Sequence, residues 1–394
     1  MRKNLNRKCP VCASELGEIL YTQNFIVPDD FPLTRSNNGT MTQYIVACDS
    51  CGFVYADVEL SQKDYDEYYV KFSQNTSVGN HTDTDDYLIN IIELICDSDK
   101  SKRIIDIGCG SGSLLIGLKS KGFTELYGIG MSSTITSLLE QSDIKCKTTS
   151  ITEKNINLAE SASFDIVCLI SVLEHVYDLN MALSNISTML KENAYLIILL
   201  PDAAYYHKEI LNPIHVINLE HINHFDKTSL GNLMKQYGFL SHISDKHVMN
   251  TQRTSSTQIV CVYKKCTIVA DLLKFHFTKE SARSVSLLVE KWKAVQANKE
   301  IERMVSSQEE IVVYGAGNYT YSMLSDTILK NCNIIAFIDG NPSKQGTHLM
   351  GLPIHDPNFL LDFKGTVIVS VAYEPQSIIQ YMSKMGLKNK TQVI

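Results

Sequence analysis

An α/β protein is what the sequence predicts, with a doubly wound, mostly parallel sheet in mid-chain, a smaller unit of the same kind at the end, and a short cysteine-bearing lobe in front. Three observations carry this. Residues 85–265 alternate short buried-strand runs with helical apolar periodicity. The same alternation resumes at Ile311. Residues 1–60 are turn-rich and hold two Cys-x-x-Cys pairs. At roughly 100 to 200 residues per domain, 394 residues with 44% apolar content make two or three packed domains. The expected division is a cysteine lobe over 1–70, a main domain over 71–265, a helical linker over 266–308 and a Rossmann-like domain over 309–394.

In the lobe, Cys9-Pro-Val-Cys12 and Cys48-Asp-Ser-Cys51 each offer two thiolates from one tight turn. Two such turns close a tetrahedral shell around Zn2+ and leave no position for water, so the metal they imply is structural. Of the 11 cysteines only these four are spaced in an organised way; Cys109, Cys168 and Cys261 lie in apolar runs and read as reduced core residues.

In the main domain, strands are expected at Arg103–Ile107, Glu125–Ile129, Phe164–Ile170 and Tyr195–Leu200, with helices such as Ser113–Lys121 and Asn180–Leu190 between them. The first strand runs into Asp106-Ile107-Gly108-Cys109-Gly110-Ser111-Gly112. Glycines allow a tight turn and a close ligand, and the amides opening the next helix suit a polar or anionic group. After Pro201 comes Glu220-His221-Ile222-Asn223-His224, dense in groups that move protons near neutral pH. Residues 267–308 have helical spacing, and strands follow at Ile311–Tyr314, Ile334–Ile338 and Thr366–Val371.

The run from Ile104 to Gly112, with Asp106 before the first glycine, resembles motif I of the class I S-adenosylmethionine methyltransferases. Phe164-Asp165-Ile166-Val167, Leu173-Glu174-His175-Val176, Met189-Leu190-Lys191 and the strand ending at Pro201 look like the rest of that core, which spans about residues 100–245. The resemblance implies that Asp106 faces the charged methionine end of S-adenosylmethionine over Gly108, Cys109, Gly110 and Gly112, with Gly130, Met131 and Ser150 at the nucleoside. Two positions depart from the pattern. Gly130 stands where an acid usually grips the ribose, and residues 147–150 lack an acid near adenine, with Ser150 as the polar substitute.

The cysteine lobe, this core, the Glu-His segment and an end domain opening Tyr314-Gly315-Ala316-Gly317 together resemble the three-domain sugar C-methyltransferases of deoxysugar biosynthesis. Asp339-Gly340-Asn341-Pro342 and Val371-Ala372-Tyr373 are similar to that end domain. The family's sugar-serving residues fall on Glu220, His221 and His175, with His221 as the base that deprotonates a nucleotide-linked keto-sugar. Asn218 replaces one family tyrosine, and another falls near Tyr69. Two other readings compete: O- or N-methylation of a surface-polysaccharide sugar, and a non-catalytic scaffold with a degenerate cofactor site. In the end domain Asp339 lies 22 residues after Gly317, the spacing of a dinucleotide site, but Thr320 occupies the third-glycine position. Trp292, Tyr65, Tyr68 and Tyr69 read as packing residues.

Charge and hydropathy exclude other classes. The 36 Lys+Arg against 43 Asp+Glu give −7, without the clustered positive charge that nucleic acid requires. The basic Met1–Pro10 is not followed by an apolar core and cleavage site, so a cytoplasmic protein is expected. The most apolar run, Tyr195–Leu200, is far below the roughly 20 residues of a membrane span.

Overall fold

The computed structural model describes residues 2–26, 33, 40–73, 81–154, 156, 163–210, 212–250, 255–266, 274–296, 298–371 and 374–394. Ala372, Tyr373 and residues 267–273 of the expected linker lie outside the described residues. Two compact units emerge: Met1–Leu20, Ile45–Glu209 and Leu219–Ser284 form the first, and Tyr21–Tyr44, Ile210–Asn218 and Val285–Ile394 the second. Among the described residues no helix is long and apolar enough to cross a membrane.

Strands β1 (Arg2–Asn4), β2 (Leu16–Ile26), β3 (Thr40–Cys48) and β4 (Val54–Asp57) build a sheet in that order. A main sheet follows from β5 (Ile104–Ile107), β6 (Leu126–Gly130), β7 (Lys145–Thr148), β8 (Phe164–Ile170) and β9 (Leu190–Pro201). The two-residue β10 (Asn223–His224) returns to the first sheet, antiparallel to β4. The hairpin β11 (Phe239–Asn250) and β12 (Ser255–Lys265) completes the main sheet, in the order β11-β12-β9-β8-β5-β6-β7. The five strands from β9 to β7 are parallel, β12 is antiparallel to β9, and β11 is antiparallel to β12. The expected doubly wound, mostly parallel sheet is therefore present, closed at one edge by the β11–β12 hairpin.

Strand β9 starts five residues before the expected Tyr195 because Leu190–Ala194 is irregular: the β8 register shifts between Phe164 and Ile166, and Asn193 has φ 64°. Helices α1 (Gln62–Ser73), α2 (Asp83–Cys96), α3 (Ser113–Ser120), α4 (Ser133–Gln141) and α5 (Leu179–Met189) supply the covering layers and the approach to the site. Their apolar faces, with Leu88, Ile92, Leu115, Leu118 and Leu139, join Ile104, Ile166, Ile197 and Val260 of the sheet in one core. A Thr82–Asp85 capping box starts α2.

In the second unit, β13 (Ile311–Tyr314), β14 (Ile334–Ile338), β15 (His348–Leu349), β16 (Leu352–His355), β17 (Thr366–Val369) and β18 (Thr391–Val393) form a sheet ordered β15-β16-β14-β13-β17-β18. All pairs but β15–β16 are parallel. Two helices, Glu280–Gln296 and Lys299–Ser307, lie within the stretch 266–308. Trp292 is buried as expected and donates to Asp326 at 3.0 Å.

In the first unit the cysteine lobe and the main sheet meet at one cation. Arg7 is 4% exposed. Its guanidinium donates to the Ile222 carbonyl (3.2 Å), the Tyr177 carbonyl (2.8 Å) and Asn223 Oδ1 (3.0 Å), and stacks 4.6 Å from the Tyr177 ring centre. Burial pulls its pKa down, yet an arginine has room to stay charged. Arg7→Ala leaves two carbonyls and an amide oxygen without their donor, so it should lower unfolding free energy by about 2 to 3 kcal/mol. Urea denaturation measures this; a loss under about 0.5 kcal/mol would show that the lobe is held without it.

Candidate active site and cysteine cluster

The four lobe cysteines converge. Cys9 Sγ lies 3.7 Å from Cys51 Sγ, Cys12 Sγ lies 3.4 Å from Cys48 Sγ, and the four sulfurs are all within 4.8 Å of one another. Tetrahedral Zn2+ with bonds of about 2.3 Å separates its sulfurs by about 3.8 Å, so the spacing fits a metal, and all four are free thiols. The two turns are built alike. The Cys9 amide donates to Ser14 O and Ala13 N returns to Cys9 O; the Cys48 amide donates to Phe53 O and Gly52 N returns to Cys48 O. The residue after each second cysteine is left-handed, Ala13 at φ 59° and Gly52 at φ 78°. A Cβ on Gly52 would meet the Thr278 carbonyl at 1.8 Å, so only glycine fits there.

In an open parallel sheet, ligands bind beyond the carboxyl ends of the strands where neighbours diverge. Here that point is β5, with β6 on one side and β8 on the other. A cleft of about 320 Å³ opens there, and its lining includes Gly108, Cys109, Gly110, Gly130, Met131, Ser150, His175 and Glu220. Asp106, Gly112 and His221 were expected in the same site but stand behind the lining. Gly108 and Gly112 have φ of 74° and 77°, and a Cβ on either would press within 2.6 Å of Val172 or Leu139. They shape the turn. At Gly110 an added Cβ would meet only the Gly108 carbonyl at 3.7 Å, which leaves that face of the turn open to a ligand.

Asp106 is buried, and its Oδ1 has no hydrogen-bond partner among the described residues. Burial, then the charge of Asp85, pushes its carboxyl up to about 8. Asp85 is held by the Thr82 cap and by Ser113 Oγ at 3.1 Å. A buried carboxyl with an orphaned oxygen beneath a glycine turn fits a ligand's ammonium group, as S-adenosylmethionine carries.

At the other side of the turn a proton-handling cluster forms. Ile222 N and Asn223 N donate to Glu174 O, and Asn223 Nδ2 donates to Leu173 O and Val176 O, which sews 220–224 to the loop after β8. Ser171, opening that loop, has φ 53°, a strained value for a non-glycine. The His175 and His221 rings lie 4.7 Å apart and nearly perpendicular. Tyr69 Oη contacts His175 Nδ1 at 2.8 Å, and the Glu220 carbonyl lies 3.2 Å from the same nitrogen. With the proton on Nδ1, His175 donates to the carbonyl and to the phenol oxygen and Nε2 is the basic nitrogen; with it on Nε2, Nδ1 accepts from Tyr69 instead. Tyr68 donates to Glu220 Oε1. Burial lowers His221 to about 4, and burial with the charge of His221 lowers His175 to about 3, so both imidazoles are neutral at pH 7. Glu174, with an orphaned Oε2, is pushed up to about 8 by burial and is protonated there.

Sequence reasoning missed Glu174, and it missed Asp66 and Gln62, which reach the cleft from α1. It read Tyr68 as packing. Glu174 stood in the Leu173–Val176 run with no role attached to it, whereas Asp66, Gln62 and Tyr68 come from a segment distant in the chain and belong to no motif; their one available signal was the polar i, i+4 pair on a tyrosine-rich helix. Asn218 is not in the cleft lining; it donates to Ile214 O at 3.3 Å, closing a turn in the second unit. In that unit the Gly315 turn is met by Asp339, whose Oδ2 accepts from Ala316 N at 2.9 Å and Lys344 Nζ at 3.1 Å, so its carboxylate is spent on the loop itself.

Residues 81–240 match a family profile described as a methyltransferase domain. No curated protein matches the chain. Among solved structures, an S-adenosylmethionine-dependent methyltransferase of Methanosarcina mazei is 20% identical over 44% of this chain and 96% of that one, with a TM-score of 0.38. The 1,6-didemethyltoxoflavin-N1-methyltransferase of Burkholderia thailandensis, solved with 1,6-didemethyltoxoflavin and S-adenosylhomocysteine, is 13% identical over 57% and 95%, with a TM-score of 0.39. The magnesium protoporphyrin IX methyltransferase of Synechocystis, with bound S-adenosylhomocysteine, is 16% identical over 53% and 90%, with a TM-score of 0.36. Residues 81–240 thus match a methyltransferase domain, and they carry the sheet whose glycine turn opens into the cleft.

Proposed function

We propose that this protein is an S-adenosylmethionine-dependent methyltransferase that acts in the cytoplasm on a carbon of a nucleotide-linked keto-sugar, with a structural zinc in its Cys9, Cys12, Cys48 and Cys51 lobe. The observation that carries the reading is the cleft itself, which has the glycine turn at one end and the Glu220–His175 cluster, backed by His221, at the other. S-adenosylmethionine, when bound, supplies an electrophilic methyl group and leaves as the neutral thioether. Gly108, Cys109 and Gly110 would line its seat, and Asp106, behind the glycine turn, would supply the negative charge for its ammonium. The His221–His175 pair takes the proton from the carbon beside the keto group, and that carbon keeps the electron pair for the new C–C bond. Tyr69 and the Glu220 carbonyl hold the His175 ring at Nδ1, and Glu220, itself held by Tyr68, orients a sugar hydroxyl. Transfer to oxygen or nitrogen needs no such base. An analogue blocked at the acidic carbon separates the two: continued methylation of it would overturn the C-methyl reading.

His221→Ala should lower turnover on the keto-sugar by about 10²- to 10⁴-fold while leaving cofactor affinity intact, measured by product formation and calorimetry. Because burial lowers both imidazoles, the basic form persists well below pH 6.5, and the acid limb of kcat/KM should fall near pH 4 to 5. An acid limb at 6.5 would point to an exposed base instead.

Asp106 is protonated at pH 7 in the free protein and must ionise against an ammonium, so cofactor binding should release about one proton. The calorimetric enthalpy should then vary linearly with buffer ionisation enthalpy, and Asp106→Asn should remove that slope.

Elemental analysis should find one zinc per chain, lost in Cys48→Ser, with a fall in melting temperature when a chelator strips the metal. Full zinc content in a Cys12→Ala, Cys48→Ala double variant would refute the site.

A further inference from the structure

A nucleoside carries hydrogen-bond donors on its ribose and on the adenine 6-amino group, and a protein that binds it tightly offers acceptors to them. The strand that ends at Gly130 offers none from a side chain. Its carbonyl is already taken, accepting from Thr149 N at 3.1 Å. The next candidate, Ser150, has one hydroxyl proton, directed at Asp66 Oδ1 at 2.9 Å. Ser150 Oγ itself accepts from Thr152 N at 3.3 Å and lies 2.8 Å from Thr152 Oγ1.

The carboxylate that receives this bond comes from outside the main sheet. Asp66 sits on α1, directly after the cysteine lobe, and lines the cleft beside Ser150. Its Oδ1 also accepts from Gln62 Nε2 at 2.9 Å, and Gln62 Oε1 in turn accepts from Asp178 N, the N-cap of α5, at 2.8 Å. The carboxylate is therefore pinned through one oxygen by donors from α1 and from the turn after β7. No hydrogen bond to Oδ2 occurs among the described residues, and that oxygen is not a buried orphan. The carboxylate is fixed while its second oxygen has no hydrogen-bond partner among the described residues. Asp66 and Glu220 are the only carboxylates in the cleft lining among the described residues, and Glu220 belongs to the opposite end with His175.

We propose that Asp66, delivered by α1 and set by Gln62 and Ser150, is the carboxylate that recognises the nucleoside half of S-adenosylmethionine, in place of an acid at Gly130. The inference rests on the cofactor reading above, which puts the methionine end over the glycine turn and the nucleoside at Met131 and Ser150. Asp66 accepts from the ligand through Oδ2, and Ser150 and Gln62 act as positioning residues. The cysteine lobe thereby takes part in cofactor binding through the helix that follows it.

The test is calorimetric titration of full-length, zinc-replete protein with S-adenosylhomocysteine, S-inosylhomocysteine and 2′-deoxy-S-adenosylhomocysteine. Asp66→Ala should weaken S-adenosylhomocysteine binding by about 10- to 100-fold, Asp66→Asn, which keeps an acceptor, by a few-fold, and Ser150→Ala by an intermediate factor. In wild-type protein, loss of affinity for the inosine analogue assigns the bond to the 6-amino group, and loss for the deoxy analogue assigns it to the ribose. In Asp66→Ala the penalty for that same analogue should vanish. Unchanged zinc content and melting temperature of the variant separate a lost contact from a misfolded chain. Wild-type protein that binds none of the three would sink the cofactor reading and this inference with it. Wild-type binding with Asp66→Ala within twofold would overturn the inference alone.

Discussion

A buried guanidinium carries more of the first unit's architecture than any other group. Arg7 comes from the lobe, and its donors end on Tyr177 before α5 and on Ile222 and Asn223 around β10. Its own amide donates to Asp57 at the end of β4 at 2.8 Å, and the Tyr55 hydroxyl returns to its carbonyl at 3.2 Å. An arginine suits this place because its planar fork reaches several acceptors at once and keeps its charge at any physiological pH. Burying that charge is costly unless every donor is met. The cost makes the arrangement specific, because sliding 220–224 by one residue would strand the cation. The register of Glu220 and His221 thus follows from a residue that touches no substrate.

The charge state of the cleft follows from burial in the same way. Asp106 and Glu174 are carboxyls raised to about 8, and His175 and His221 are imidazoles lowered to about 3 and 4. The sign differs and the cause is common: each group loses hydration most in its ionised form. For stability the two kinds oppose each other. The histidines cost stability as pH falls below about 6.5, where the unfolded chain takes up protons that the folded chain refuses. The carboxyls cost stability as pH rises above about 4, where the unfolded chain ionises and the folded one does not. Near neutral pH these four groups carry little net charge, so a cationic ligand enters a preformed, low-dielectric seat whose ionisation it controls.

What the sequence made legible was local. The strand edges of β8, β13 and β14 were readable to the residue, because each is a short, wholly apolar or alternating run bounded by turn residues. The glycine turn and the two cysteine pairs were readable because their chemistry is written in adjacent positions. The start of β9 was not, since exposed Glu192 and Asn193 interrupt the pattern where the strand bulges. The site's supporting contacts were invisible for a different reason. Asp66 meets Ser150 across 84 residues, Tyr68 meets Glu220 across 152, and Arg7 meets Asn223 across 216. No periodicity encodes such pairs; they are decided by how the lobe docks on the sheet.

That docking has a consequence for the metal. The second knuckle is locked by Gly52, whose place against Thr278 admits no side chain, and Thr278 in turn donates to the buried Asp226 at 2.9 Å. Asp226 caps the helix Lys227–Lys235, directly after β10. The knuckle and the Glu220–His224 segment are therefore two ends of one short chain of contacts, the first closed by zinc and the second presenting the catalytic groups in the proposed form. The lobe also starts α1, which brings Asp66, Tyr68 and Tyr69 to the cleft. In the proposed zinc form, removing the metal would loosen both supports together, so a closed tetrahedral site with no chemistry of its own would still govern the geometry of the cleft.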